Sequence, residues 1–180
     1  MFELMEDIML AFFAIIIGII FLDQLTKWLA VIFLKGNASA IVIENVFRFT
    51  YLENRGAAFG MLSDQRWIFL IISTVAIIAI IFYMIKFKPK SKLEIVAIAF
   101  MAGGGIGNMI DRIALGYVID FIDFYAFPQI WSYVFNVADS FVCIGAGLLV
   151  LYLVQELIKE SKALKAAKNA EGSDNNADEQ

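Results

Sequence analysis

An all-α integral membrane protein, a bundle of four transmembrane helices carrying a small β element outside the membrane, is the fold class this sequence predicts. Three observations predict it. Hydrophobic residue types make up 61% of the 180 residues and the mean hydropathy is +0.78, where roughly half is usual for a soluble domain. Four apolar runs each supply the ~20 residues that a helix needs to span hydrocarbon. Lysines crowd two of the segments flanking those runs and leave the others thinly charged, which is the asymmetry of a chain with a cytoplasmic side.

The first run, Ile8 to Leu34, follows an acidic start of Glu3, Glu6 and Asp7. It lacks a basic leading region and a small-residue cleavage site, so it reads as an anchor and not as a removable signal peptide. Ala40 to Leu52 (AIVIENVFRFTYL) is rich in β-branched and aromatic residues with partial alternation, which predicts one or two short strands at the outer surface. An Asn54-Arg55-Gly56 turn follows. The second span runs from Trp67 to Ile85, the third from Leu93 to Ile113 and the fourth from Tyr133 to Leu157. Lys86, Lys88, Lys90 and Lys92 fill the second connection, and Lys159, Lys162, Lys165 and Lys168 follow the fourth span. Both groups belong on the cytoplasmic side, and both termini with them. The first connection and the third, Gly116 to Ser132, then face outward. Residues 1–160 read as a single membrane-embedded domain, and residues 161–180, ending EGSDNNADEQ, as a disordered polar cytoplasmic tail.

The composition also restricts function. A net charge of −4 and a pI of about 4.8 give no basic footprint for nucleic acid. With no histidine and one cysteine, Cys143, the chain cannot build Ser-His, Cys-His or histidine-ligated zinc sites. Carboxylates are the acid/base resource left. Cys143 lies in an apolar run and reads as a small buried hydrophobe.

Ionisable groups inside a span cost a few kcal/mol each and are functional candidates unless structure explains them. Asp23 and Lys27 stand four residues apart on one face of the first helix; they form either a neutralised pair that orients the helix or part of a site. In Asn54-Arg55-Gly56-Ala57-Ala58-Phe59-Gly60, turn chemistry and a substrate-binding asparagine compete as readings, and Gly56 permits close backbone approach. The third span carries Gly103-Gly104-Gly105-Ile106-Gly107 before Asn108, Asp111 and Arg112; the glycines suit tight helix packing, and the polar trio is either a functional stripe or an interfacial cluster. Asp120, among large apolar residues in GYVIDFID, taken alone is a solvated loop carboxylate. Asn136 and Asp139 in FNVADS share one face just inside the fourth span, and Asp139 has no basic residue within helical reach. The third span exits outward before Asp120 and the fourth re-enters before Asp139, so the two carboxylates can meet, and sharing one proton lowers the cost of a charge there. Aspartic proteases use that arrangement.

Taken together, NRGAAFG, GGGIGNMIDR followed by GYVIDFIDFY, and FNVADS resemble the lipoprotein signal peptidases (signal peptidase II), from the first span through the fourth. The resemblance implies four transmembrane helices with a small extracytoplasmic β element and a short helix, in the bacterial inner membrane. It implies an aspartic endopeptidase with Asp120 and Asp139 as catalytic dyad. Asn54, Asn108, Arg112 and Asn136 match polar residues lining the active site, with Asp23, Lys27, Gly56 and Asp111 in support. The substrate it implies is a prolipoprotein whose lipobox cysteine bears a diacylglyceryl group, cut just before that cysteine by a monomer lying among membrane lipids, with no metal or organic cofactor. Phe141-Val142 after Ser140 is bulkier than the family pattern. A proton-coupled carrier, a magnesium-dependent lipid phosphatase and a scaffold are the rival readings; the first needs acidic residues spread through the membrane depth, the second more basic groups than Arg112 and Lys27.

Overall fold

The computed structural model describes residues 2–56, 65–126 and 133–177, and side chains within 6–56, 65–126 and 133–166. In chain order the elements are α1 (Phe2–Leu34), β1 (Ala40–Ile43), β2 (Phe47–Asn54), α2 (Arg66–Phe87), α3 (Lys92–Ala114), β3 (Val118–Phe124), β4 (Val134–Phe135) and α4 (Val137–Ala177). All four helices are long and apolar enough to cross a membrane, so the protein is multi-pass.

The least apolar span is also the most enclosed. Within α3 56% of the span is buried, against 22% for α1, 11% for α4 and 6% for α2. Lipid is as apolar as leucine and gives no reason to bury leucines, whereas it penalises Asn108, Asp111 and Arg112; these turn inward and the other helices wrap them. Small residues make that closeness possible. A Cβ on Gly104 would collide with the Ala138 carbonyl of α4, and one on Gly103 would lie 2.9 Å from the Ile19 Cβ of α1. The bulky Phe141 packs edge-on against Phe100 of α3, ring centroids 4.9 Å apart. The ends of α3 are set locally. Lys88 leaves α2 in the left-handed conformation (φ 49°) just ahead of Pro89, and the Ser91 side chain caps α3 by accepting from the Glu94 N–H at 3.4 Å.

The strands form one antiparallel sheet in the order β1-β2-β3-β4. β1 and β2 make a hairpin turning at Asn45, φ 59°, a conformation asparagine tolerates. β2 pairs with β3 so that Arg48 faces Asp123, Leu52 faces Asp120 and Asn54 faces Val118. Ile119 and Phe121 pack with Ala30 at the end of α1, which fastens the sheet to one end of the bundle. At the other end Phe12, Ile16, Met84, Ile95 and Ile98 form the main apolar cluster.

Several expectations are corrected. Asp120 sits in β3, a strand and not a loop. Both faces of Val118–Phe121 are covered, so the segment shows no alternation to announce it. The fourth helix starts at Val137 rather than near Tyr133, because Val134–Phe135 pair with β3. The chain does not break at residue 161. α4 continues to Ala177, as the strong helix formers Lys, Ala, Glu and Leu after Glu156 favour. Cys143 is exposed on α4 and not buried. Among the described residues there is no further short helix, and Ala57 to Gly60 of the NRGAAFG motif lie outside those described.

Candidate active site

Asn136 stands between β4 and α4 and organises the site. Its Oδ1 accepts from the Asp139 N–H at 2.9 Å, while its own N–H donates to Asp139 Oδ2 at 3.2 Å. This is a reciprocal capping box that satisfies two helix-end donors and fixes the Asp139 rotamer. Its Nδ2 donates to Asp120 Oδ1 at 2.6 Å and to Asn108 Oδ1 at 3.0 Å. One buried residue thus donates to both carboxylates, to Asp120 from its side chain and to Asp139 from its backbone. Asp120, 0% exposed, receives a second bond from Asn54 Nδ2 at 2.8 Å. Asn54 is itself held by the Gly56 N–H donating to its Oδ1 at 3.0 Å, an Asx turn. Asp139 Oδ1 accepts from Asn108 Nδ2 at 2.8 Å. Burial, and then the neighbouring Asp139 charge, push the Asp120 carboxyl up to about 7 against the pull of Asn54 and Asn136.

Beneath the pair lies Lys27, 2% exposed. Its ammonium reaches Asp23 Oδ2 at 2.9 Å, Asp111 Oδ2 at 3.0 Å and Asn108 Oδ1 at 2.9 Å. A lysine can only donate, so Asn108 must turn its carbonyl to Lys27 and its NH₂ to Asp139. The two carboxylates on Lys27 each hold a structural leg. Asp23 Oδ1 accepts from the Ala138 N–H at 2.9 Å, capping α4 beside Asp139. Asp111 Oδ2 accepts from the Ile119 N–H at 3.0 Å, gripping β3 one residue before Asp120. Asp23 and Lys27 are therefore both things the sequence offered, an ion pair and a part of the site.

Arg112 lies over the Phe69 ring at 4.9 Å, within the electrostatic influence of Asp139 and Asp120. It does not pair with Asp111, whose charge Lys27 meets instead. Asp123 belongs elsewhere: Arg48 Nε donates to it at 2.6 Å across the strands and stacks over Tyr125 at 4.5 Å.

Every candidate residue thus has a place: Asp120, Asp139, Asn54, Asn108 and Asn136 form one hydrogen-bonded set, Asp23, Lys27 and Asp111 brace it, Gly56 orients Asn54, and Arg112 stands at its edge. Three further residues belong here. Gln24 donates to Asp111 Oδ1 at 2.9 Å and to Asp23 Oδ2 at 3.2 Å; its adjacency to Asp23 was the available signal. Gly107 leaves the space that Asp23 fills, since a Cβ there would lie 2.6 Å from Asp23 Oδ2. Tyr133, just ahead of FNVADS, has its phenol pushed up by burial and by the charges of Asp139 and Asp120. Chemically, two carboxylates held by one asparagine can, when they share a proton, activate a water and polarise a carbonyl together.

The chain is similar in sequence and in fold to known proteins. A family model described as Signal peptidase (SPase) II matches residues 15–155. A lipoprotein signal peptidase of Caldanaerobacter subterraneus subsp. tengcongensis is 50% identical over 135 residues, 75% of this chain and 90% of that protein. One from Halalkalibacterium halodurans is 40% identical over 159 residues, 88% of this chain and 99% of that protein. A solved bacterial membrane enzyme, determined by the in meso method at 2.3 Å, superposes with a TM-score of 0.75 at 33% identity, covering 82% of this chain and 89% of its own.

Proposed function

Taking as premise that this chain belongs to the signal peptidase II family, and so is an aspartic peptidase that removes signal peptides from prolipoproteins, we propose that Asp120 and Asp139 are the pair that performs the hydrolysis. The observation that carries this is Asn136, whose side-chain amide donates to the Asp120 carboxylate at 2.6 Å while its backbone N–H donates to the Asp139 carboxylate at 3.2 Å. Asp120, fully enclosed and raised to about 7, holds the shared proton at rest. Asp139, beside Arg112 and the Asn108 amide, is the ionised partner. Asp139 draws a proton from a water, and the water oxygen attacks the scissile carbonyl as Asp120 gives its proton to that carbonyl oxygen. The resulting diol collapses when Asp139 passes its proton to the leaving amine and Asp120 takes one back. No covalent intermediate forms. Asn54, Asn108 and Asn136 hold the carboxyl groups in register, and Arg112 is placed to meet a substrate carbonyl.

The substrate in this reading is a prolipoprotein with a diacylglyceryl-modified cysteine, cut just before that residue by a monomer. The lysine-rich end of the bundle lies in the cytoplasm with both termini, which sets the carboxylate pair and the sheet at the outer face of the bacterial inner membrane. A peptide bond there meets water while the acyl chains stay in lipid. Residues 1–160 make up the peptidase domain, and residues 161–180 are dispensable to it.

The test is cleavage of a diacylglyceryl lipobox substrate and its unlipidated form by detergent-purified protein. Asp120→Asn and Asp139→Asn should each lower kcat at least ~10³-fold, as loss of an essential acid or base does, with folding retained. Cleavage by either variant near the wild-type rate would move the catalytic pair elsewhere.

A further inference from the structure

The end of the bundle away from Asp120 and Asp139 holds a second feature that the hydrolysis does not use. α2 and α4 both pack on α3 but make at most marginal contact with each other, leaving a cleft floored by α3. At one end of this cleft stand Arg112 and Phe69. At the other it widens into a cavity of about 570 Å³ lined by Tyr83 of α2, Glu94 and Ile98 of α3, and Tyr152, Leu153 and Glu156 of α4. Its walls are apolar apart from those two carboxylates and two phenols. Glu94 is only 4% exposed and accepts a short hydrogen bond from the Tyr83 hydroxyl. Glu156 is half exposed and pairs with Lys159 at 2.7 Å.

We propose that this cavity docks the basic amino-terminal segment of the substrate's signal peptide, with Glu94 and Glu156 meeting its lysine or arginine side chains. The inference rests on the peptidase reading. Three observations select this occupant. The first is charge: secretory signal peptides open with a positively charged segment, and the lining offers two carboxylates and no lysine or arginine among the described residues. The connection beside the cavity carries Lys86, Lys88, Lys90 and Lys92, so a basic segment is drawn to the carboxylates and not to that connection. The second is placement, because α3, which lines the cavity with Glu94 and Ile98, carries Asn108 and Arg112 toward the carboxylate pair at its other end. The third is length. At ~1.5 Å per residue the helices rise about 21 Å from Glu94 to Asn108 and about 26 Å from Glu156 to Asp139. A signal peptide's apolar core of ~7–15 residues spans about 10–22 Å as a helix, and a few extended residues before the scissile bond supply the rest. With its charged end in the cavity, the peptide delivers its other end to Asp120 and Asp139. The glutamates are positioning and affinity residues, acting on KM and not on the chemical step.

The experiment uses the full chain in detergent and three diacylglyceryl lipobox substrates that differ only in whether their leading segment carries two lysines, two glutamines or two glutamates. The expected result is a KM about ten-fold lower for the lysine substrate than for the glutamine one, the size of a partly desolvated ion pair, with equal kcat. Glu94→Gln and Glu156→Gln should each shrink that ratio while leaving cleavage of the glutamine substrate unchanged. Glu156→Lys, at an exposed position that folding tolerates, should reverse the preference toward the glutamate substrate. A lysine preference that survives all three variants overturns the proposal. So does a uniform rise in KM for every substrate, the mark of a merely structural role or of a bilayer lipid in the cavity. The glutamine substrate separates this from the peptidase reading: if wild-type protein cuts it and Asp139→Asn does not, the peptidase assignment stands whichever way the lysine comparison falls, and if wild-type protein cuts none of the three, that assignment fails and the docking site with it.

Discussion

Asp120 shows what a single side chain can be made to do by its surroundings. Two amide donors hold its oxygens, yet complete burial beside another carboxylate raises it from the ordinary 3.8 to about 7. Since the folded-state value is the higher one, folding takes up a proton between about pH 4 and pH 7. The favourable contribution is complete below the unfolded value and disappears as pH climbs through the folded one. Melting temperature in detergent should therefore fall from pH 5 to pH 8, and Asp120→Asn should flatten that slope. Activity should lose its upper limb over the same range, kcat/KM declining above about pH 7 as the shared proton leaves; a rate that keeps rising to pH 9 would refute the proton's assignment to Asp120. Asn136 is a parallel case. The Asn-x-x-Asp spacing of a capping box was visible in FNVADS, but the apolar run around it suggested a helix interior.

At the scale of elements, the close approach of α3 to α4 decides whether Asn108 reaches Asp139. Gly104 faces the backbone carbonyl of Ala138 and the Val142 side chain, and a backbone carbonyl cannot swing aside. Gly104→Ala should push the helices apart and cost roughly 1–3 kcal/mol, as overpacking does. It should also lower kcat by stretching the 2.8 Å bond from Asn108 to Asp139; thermal melts and cleavage rates would show both, and an unchanged kcat would mean that the site follows α3 and α4 independently. The existence of all four helices was legible, and α2 and α3 to within a few residues, because an apolar run of span length has few other fates; α4 runs on to Ala177, past the predicted Leu157. So was the β1–β2 hairpin, from its β-branched and aromatic content. β3 was not: its partner β2 lies far upstream, and VIDF reads the same whether buried in a strand or lying in a loop. Nor could spacing show that Asp111 joins Lys27, since that bond spans α1 and α3 and exists only once both are packed.

For the molecule as a whole, Lys27 is the tie between its two halves, one leg running through Asp23 to α4 and the other through Asp111 to the sheet. Lys27→Met should leave two buried carboxylates without a counter-charge, lowering stability by about 3–5 kcal/mol, as broken buried pairs do. Adding Asp111→Asn should restore part of the melting temperature without restoring cleavage, because Asn108 would still lack the donor that orients it; recovered cleavage would argue against that positioning role. The enclosure of α3 also bears on how the protein comes into being. Emerging from a translocon alone, a span carrying Asn108, Asp111 and Arg112 is one the bilayer tends to reject, whereas α1 and α2 are apolar enough to enter unaided. At that moment α4 has not been synthesised, so the countercharge available to Asp111 is Lys27, already waiting in the first span. The buried lysine that later aligns Asn108 would then serve first as the third helix's admission to the membrane.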